Sequence, residues 1–365
     1  MATIDQPVRV EPGETAPTMT DRPSDSLRFD YAVVALLSWF VGGMFLDGWA
    51  HNHGFVDNIF LTPWHAVLYS GYAATGALLI LTQVRNVFKG YSFNRALPRG
   101  YFPALIGVVI FGLAGGADFL WHETFGFEEN IEALLSPSHL ALGTGLFLMI
   151  SGPLRAIWGR AKTRSEDWRG MFPVIIALAG FLGLFTFFTM YASYLNRPGA
   201  LLGFRPNDFH EADLYGVTSS LIPAALMMAV FLLALRRWHR LPFGSLTLIA
   251  VVNAALMYWM LEQGVQEFVV LILAAPLAVL AGEGLLAWLK PSSERVWVYR
   301  LFAFVVPFLQ FLIFYVVLNQ IDLGVRSGLW WKIHMWLGVP FLTGIVGVFL
   351  SFLVWPPEIP LEERV

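Results

Sequence analysis

The sequence contains no cysteine and few charged residues. Without cysteine, disulfide bonds, thiolate metal ligands and cysteine nucleophiles are excluded. Asp, Glu, Lys and Arg make up only 13% of the 365 residues, whereas 57% are hydrophobic. Soluble domains have about 25% charged residues, so this composition indicates a membrane protein. The net charge of −3 is too small to indicate a nucleic-acid partner.

Apolar runs recur along almost the whole chain, and each is long enough to cross a lipid bilayer as a helix of about 20 residues. They predict an all-α, polytopic membrane protein with about ten transmembrane helices. The predicted spans are 29–51, 63–85, 101–122, 136–158, 170–194, 213–236, 244–266, 267–289, 299–320 and 332–354. Residues 1–27 are polar and lack the features of a signal peptide, which predicts a disordered tail. Residues 357–365 form a second, C-terminal tail.

Basic residues concentrate in alternate loops of this predicted topology. Together with the two tails, one side holds 19 of the 23 Lys and Arg residues, and the positive-inside rule makes that side, with both termini, cytoplasmic. Seven of the eight histidines fall on the opposite side, and only His239 falls inside. Topology alone does not require histidines to segregate. The outer face, in a bacterial-type plasma membrane the periplasmic or exterior face, is therefore the predicted functional surface.

A sequence motif occurs twice on this outer face. Both copies read Asp-x3-His, then Gly-Phe-x-acid-Asn-Ile, then Ser or Thr followed by Pro-x-His. The first copy comprises Asp47, His51, Gly54, Phe55, Asp57, Asn58, Ile59, Thr62, Pro63 and His65, and the second comprises Asp118, His122, Gly126, Phe127, Glu129, Asn130, Ile131, Ser136, Pro137 and His139. Each copy joins two successive predicted helices, so helices 1–2 and 3–4 are interpreted as duplicated hairpins. The chain then divides into a duplicated four-helix unit at 28–160 and six further helices at 161–356.

The spacing within each copy predicts a metal site. Asp and His four residues apart share one face of a helix, and the Ser/Thr-Pro pair marks a helix start with the second His in its first turn. Two imidazoles and a carboxylate at one membrane depth suit a divalent transition metal. The first set is Asp47, His51 and His65, and the second set is Asp118, His122 and His139. Additional residues, as partners of the imidazoles or a spare ligand, are Asp57, Asn58, Glu129, Asn130 and His53.

The second copy resembles a motif in the C subunit of particulate methane and ammonia monooxygenases. The resemblance is carried by Asp118, Trp121, His122, Ser136, Pro137 and His139, within ADFLWHETF and SPSHL. It implies that the second set binds copper at the outer side of the bilayer, and the repeat extends this expectation to the first set. The family subunit has the motif once, has fewer helices and works beside other membrane subunits. Its resemblance to this chain covers only the segment 117–142.

Together, the two predicted metal sets and this resemblance imply a copper-dependent oxidase or monooxygenase acting on a small apolar substrate or a lipid, with zinc or iron as alternative metals. Its expected partners are the lipid bilayer and either other membrane subunits or further copies of the chain. A metal transport or acquisition protein is a second hypothesis, although transporters usually place polar groups near the membrane midplane. A zinc-dependent lipid hydrolase and a purely structural metal site are the remaining alternatives.

Overall fold

The computed structural model describes residues 22–55, 62–126, 130–159, 167–202, 209–238, 241–261, 266–321 and 329–357. The prediction of an all-α polytopic membrane protein is confirmed over these ranges. The α-helices are α1 (Leu27–Asn52), α2 (Pro63–Phe88), α3 (Phe102–Phe125), α4 (Asn130–Leu135), α5 (Pro137–Trp158), α6 (Trp168–Phe188), α7 (Phe209–Arg237), α8 (Ser245–Leu261), α9 (Ala274–Leu289), α10 (Val296–Leu318) and α11 (Val339–Val354). Within the described chain, nine helical segments are long and apolar enough to cross a bilayer, and α8 is a shorter apolar helix.

Three of the predicted spans include helical segments that are not α-helical. The span predicted to reach residue 194 leaves the α-helix at Phe188 and continues as the 3₁₀ turn Met190–Ala192. The 3₁₀ segment Gln266–Leu273 leads into α9, and the π-helical segment His334–Gly338 leads into α11. The hydropathy pattern did not separate these segments because all of them remain apolar. The six-residue helix α4 was not predicted, since it is too short to show a period.

Equivalent capping residues mark the helix starts and helix ends in the two hairpins. Thr62 and Ser136 are N-caps whose hydroxyls accept from the backbone N–H of His65 and His139. A proline follows each cap at the first helical position, where its missing N–H costs nothing. At the preceding helix ends, Gly54 has φ +72° and Gly126 has φ +83°, a left-handed conformation that glycine adopts without strain. These caps place the two histidines of each set on facing helix ends.

Glycines allow the helices of each hairpin to touch backbone to backbone. A Cβ built on Gly43 of α1 would lie 2.7 Å from the Cα of Leu68 on α2, and one on Gly71 would lie 2.6 Å from the Cα of Phe40. Helices α3 and α5 approach equally closely through Gly107 and Gly145. Small residues at helix crossings are the usual means of close packing in membranes. The helix ends that carry the ligands are thereby held at fixed separations.

The two hairpins pack together as one four-helix unit. Helix α2 contacts α3, and helix α1 contacts α5. In the repeat, α1 corresponds to α3 and α2 corresponds to α5. Exchanging the two hairpins therefore converts the α2–α3 contact into the α5–α1 contact. The unit therefore has approximate twofold symmetry, and α6 and α8 pack against its α1 side.

A buried carboxylate stabilises a helix start on the side of the protein opposite the connection between α1 and α2. Glu283 of α9 accepts hydrogen bonds from the backbone N–H groups of Leu246 and Thr247, at 3.0 and 3.2 Å, and from the Thr247 hydroxyl. These are the first N–H groups of α8, which lack partners within their own helix. Glu283 thus caps the short helix α8, and its charge is stabilised at the helix N-terminus.

Candidate metal centre

The first set assembles where α1 ends and α2 begins. Asp47 and His51 lie one turn apart on α1, and His65 lies in the first turn of α2. The Oδ2 atom of Asp47 is 3.8 Å from the Nε2 atom of His51 and 3.5 Å from that of His65. One donor atom from each of these three residues falls within 4.8 Å of the other two. The sequence spacing thus brings the three predicted residues together.

The second set repeats this arrangement between α3 and α5. Asp118 Oδ2 is 3.6 Å from the Nε2 atom of His122, and Asp118 Oδ1 is 3.7 Å from the Nε2 atom of His139. The two imidazole rings lie 5.9 Å apart at 62°, compared with 6.2 Å and 65° for His51 and His65. The nearly identical ring geometry indicates that the two hairpins present their ligands in the same way.

These separations suit a shared metal ion better than direct hydrogen bonds. A hydrogen bond between nitrogen and oxygen is normally about 2.7–3.2 Å long, shorter than any of the four contacts. Ligands bound tetrahedrally to zinc at about 2.0–2.1 Å are separated from one another by roughly 3.3 Å. Asp118 Oδ1 is also buried and makes no hydrogen bond within the described chain. A bound cation would satisfy this carboxylate oxygen, whose burial without a partner is costly.

The imidazoles of the second set are oriented by hydrogen bonds at their other nitrogen. His122 Nδ1 lies 3.2 Å from the carbonyl oxygen of Gly126, and His139 Nδ1 lies 2.7 Å from the hydroxyl oxygen of Ser136. A carbonyl oxygen can only accept, so this contact requires a proton on His122 Nδ1, and the neutral tautomer that meets this requirement leaves Nε2 able to bind a cation. Metal-binding histidines are commonly held by such a bond.

The sequence predicts this orienting role for other residues. Asp57, Asn58 and Glu129 lie outside the described residues, as does the side chain of Asn130, which begins α4. Their predicted role stays a prediction. The carbonyl of Gly126 and the hydroxyl of Ser136 were missed, although a glycine and a capping hydroxyl at the same places in both copies were available signals.

His53 has a different environment from the three residues of the first set. Its Nδ1 atom lies 2.8 Å from the carbonyl oxygen of Trp49, and its ring stacks on the Trp49 ring at 5.0 Å. The first set as the structure assembles it consists of Asp47, His51 and His65. The prediction of His53 as a spare ligand is not tested by this arrangement.

Each set combines a shielded carboxylate with an accessible imidazole. The side chains of Asp118 and Asp47 are 4% and 15% exposed, whereas those of His139 and His51 are 30% and 39% exposed. A cation held here would have its negative ligand protected from water and one side open to small molecules. Three protein ligands with an open position are typical of catalytic rather than structural zinc sites.

The two sets are close enough for their charges to interact. Asp47 interacts electrostatically with His139 and Asp118 of the second set, and His51 interacts with His139 and His122. Two cations bound here would therefore influence each other, because electrostatic interactions are weakly screened away from water. The approximate twofold symmetry of the four-helix unit accounts for this proximity.

Ser136 offers a test of the orientation of His139. The change Ser136→Ala removes the hydroxyl that holds Nδ1, and we expect the second set to bind its metal roughly ten- to a hundredfold more weakly. Ser136→Thr keeps the hydroxyl and should bind normally, as should Thr144→Ala, which removes an exposed hydroxyl bonded to its own helix. The measurement is competition for Cu²⁺ with a chromophoric chelator. Equal affinity of the alanine variant and the original protein would contradict this role.

A third group of charged residues on α7 and near the start of α11 differs from both sets. Asp213 accepts from the buried Lys332 at 2.9 Å and lies 3.1 Å from His334 Nε2. The structure joins Asp213 with Lys332 and His334, which are distant from it in the sequence, in one ion-paired group. Their separations are those of hydrogen bonds, so the carboxylate is already satisfied without a cation.

The geometry defines two equivalent three-residue sites at the ends of duplicated hairpins. Each offers two imidazole nitrogens and a carboxylate oxygen, a donor set that suits copper, zinc and iron. No family model matches this chain, and no curated protein or solved structure is similar to it.

Proposed function

We propose that this membrane protein holds a transition metal ion in each Asp/His/His set and is a copper-dependent oxidase or monooxygenase. The observation that carries the proposal is the repeated cluster, with donor atoms within 4.8 Å of one another in both hairpins. Ionisable residues near the hydrocarbon region are costly and usually functional, and here the same three residue types occur twice.

Copper is favoured by the donor set and by the local sequence resemblance. Among divalent first-row metals, copper binds nitrogen and oxygen ligands most tightly. The resemblance of the second copy to the monooxygenase C subunit supports the same metal, and it supports association with further membrane subunits or with another copy of the chain. Zinc and iron suit the same ligands and are the alternative metals.

The surroundings of the sets favour an apolar substrate. Trp49 packs against Phe55 at 5.1 Å and Trp64 at 5.7 Å beside the first set, and Trp121 packs against Phe125 at 4.6 Å beside the second. A metal with three protein ligands supplies an open position for Lewis-acid or redox chemistry. The aromatic rings would exclude water and accommodate a small hydrocarbon-like molecule or a lipid chain from the bilayer.

A zinc-dependent hydrolase of lipids is the second candidate, because Glu123 adjoins His122 on an exposed part of α3. A carboxylate beside a metal-bound water is the usual general base of such enzymes. Metal transport is the third candidate. It predicts flux of the metal into proteoliposomes that contain the purified protein, and no flux would exclude it.

Metal analysis of protein purified without chelators tests the proposal. We expect two copper ions per chain, with a Cu²⁺ electron paramagnetic resonance spectrum showing nitrogen couplings from the imidazoles. Two zinc ions would favour the hydrolase. Protein that contains no metal and takes up none of Cu²⁺, Zn²⁺ and Fe²⁺ after incubation would reject all the metal-dependent functions.

We further propose that the sets face the periplasm or exterior and that both termini are cytoplasmic. Because the sequence has no cysteine, one introduced cysteine is the sole thiol. Phe55 and Phe88 are both exposed and lie at opposite ends of the first hairpin. We expect a membrane-impermeant maleimide to label Phe55→Cys in intact cells, and to label Phe88→Cys only after permeabilisation. The reverse pattern would invert the topology.

A further inference from the structure

Tyr69 of α2 lies between the two sets. It is one helical turn below His65, and the two rings are 6.2 Å apart. Its hydroxyl oxygen would be 3.1 Å from a Cβ built on Gly115 of α3. Gly115 is in turn one helical turn from Asp118. The phenol of Tyr69 is thus about one turn, roughly 5.4 Å along a helix, from a residue of each set.

Both carboxylates act on this phenol. Asp47 of the first set and Asp118 of the second set each interact electrostatically with Tyr69. The side chain is half-buried and packs on Phe111 at 6.1 Å, so the interaction is only partly screened by water. A single hydroxyl group therefore lies in the electric fields of both sets.

The approximate twofold symmetry is broken at this position. The residue four positions after His139, which corresponds to Tyr69, is Gly143. A Cβ on Gly143 would lie 2.7 Å from the ring of Phe188, so the equivalent space in the second hairpin is filled by an apolar ring. Tyr69 therefore lies near both sets, and its counterpart in the repeat is a glycine with no side chain.

We propose that Tyr69 couples the two sets, so that a divalent cation bound in one set weakens the binding of a cation in the other. This inference rests on the proposed metal binding. It assigns Tyr69 a positioning role, because the phenol acts on the carboxylates rather than on a bound substrate.

The coupling follows from one hydroxyl group that interacts electrostatically with both carboxylates. A cation in one set offsets the negative charge of that set's aspartate. The hydroxyl dipole then turns toward the other aspartate, either directly or through one bridging water. Donation to that carboxylate competes with its binding of a second cation. Because coupling between sites is reciprocal, the same factor applies whichever set is filled first.

Stepwise binding constants for Cu²⁺ in detergent-solubilised protein test this role. We expect Tyr69→Phe to reduce the ratio of the first to the second constant about tenfold, which corresponds to about 1.4 kcal/mol. The remaining ratio reflects direct repulsion between the ions, which the variant retains. Tyr72→Phe is the matched control, because the Tyr72 hydroxyl lies one turn deeper and donates to the carbonyl of Val108 at 2.9 Å. Its ratio should equal that of the original protein.

Two neighbouring glycines provide an independent test. The Cβ added by Gly115→Ala displaces the Tyr69 hydroxyl and should reduce the ratio in the same direction. In Gly116→Ala the added Cβ has no described atom within 4 Å, and the ratio should not change.

The possible results separate this inference from the proposed function. An unchanged ratio in Tyr69→Phe would overturn the coupling while two ions still bind. A decrease of both constants by the same factor would also overturn it, since that result indicates a purely structural role for Tyr69. Failure of the original protein to bind Cu²⁺ would instead reject the metal sites themselves.

Discussion

Asp118→Ala is expected to abolish metal binding at the second set and leave one ion bound at the first. Asp118 is the only negatively charged ligand of its set and lies within 3.7 Å of both imidazole nitrogens. Loss of a residue that merely orients a ligand costs about ten- to a hundredfold in affinity, so loss of the carboxylate should cost at least a hundredfold. Metal analysis of the purified variant should show one equivalent where the original protein shows two.

Asp118→Ala should, in contrast, stabilise the metal-free protein against unfolding. Asp118 is buried, and its Oδ1 atom makes no hydrogen bond within the described residues. Removing a buried oxygen that makes no hydrogen bond relieves a cost of about 1–3 kcal/mol. We therefore expect the metal-free variant to unfold at a higher temperature than the metal-free original protein. Added Cu²⁺ should raise that temperature less in the variant than in the original protein.

Glu123→Ala is the control for Asp118→Ala, since Glu123 is an exposed carboxylate five residues further along α3. It should keep two metal ions and normal stability. Asp47→Ala should mirror Asp118→Ala and lose the ion of the first set. Two bound ions in Asp118→Ala, measured with the same protocol, would show that this residue is not a ligand.

Gly43→Val is expected to cause a large loss of stability. The first added atom, Cβ, would lie 2.7 Å from the Cα and 2.9 Å from the backbone nitrogen of Leu68. Backbone atoms cannot rotate away as a side chain can, so α1 and α2 must separate. Overpacking in a close-packed interior costs about 1–3 kcal/mol, and a clash with backbone should reach at least the top of that range. We expect a lower unfolding temperature in detergent.

The separation of α1 from α2 in Gly43→Val should also abolish metal binding at the first set. Its ligands come from both helices, and their donor atoms must stay within a few tenths of an ångström of the required positions. The second hairpin carries its own ligands and should keep its ion. Gly42→Val is the matched control, because no described atom lies within 4 Å of a Cβ at that position. Equal stability of the two valine variants would contradict the close packing of α1 on α2.

The residues of the two sets were predictable because local rules place them. The four-residue spacing of Asp118 and His122 depends only on the helix repeat, and the N-cap Ser136 fixes the start of the helix that carries His139. The same rules apply in the first copy. The all-α polytopic fold followed from hydropathy, which reports the length of each span without reference to its neighbours.

The remaining features depend on how helices cross, which one sequence does not reveal. Tyr69 reaches the second hairpin only because α2 packs against Gly115 of α3. The bond between His122 and the carbonyl of Gly126 depends on a positive φ angle at that glycine. The pairing of Asp213 with Lys332 joins residues 119 positions apart, and no local period indicates it.

The glycine contacts within each hairpin have a consequence for the redox role proposed for the two sets. At Gly43 and Gly71 the backbones of α1 and α2 lie in contact without a side chain between them that could rearrange. A redox-active ion changes its preferred coordination when it gains or loses an electron, and ligands on such a stiff frame cannot follow that change far. The nuclear motion that accompanies each transfer is then small. These glycine crossings would thus hold the ligands of either set in a geometry between those that the two oxidation states prefer. Such a geometry keeps the reorganisation energy of electron transfer low.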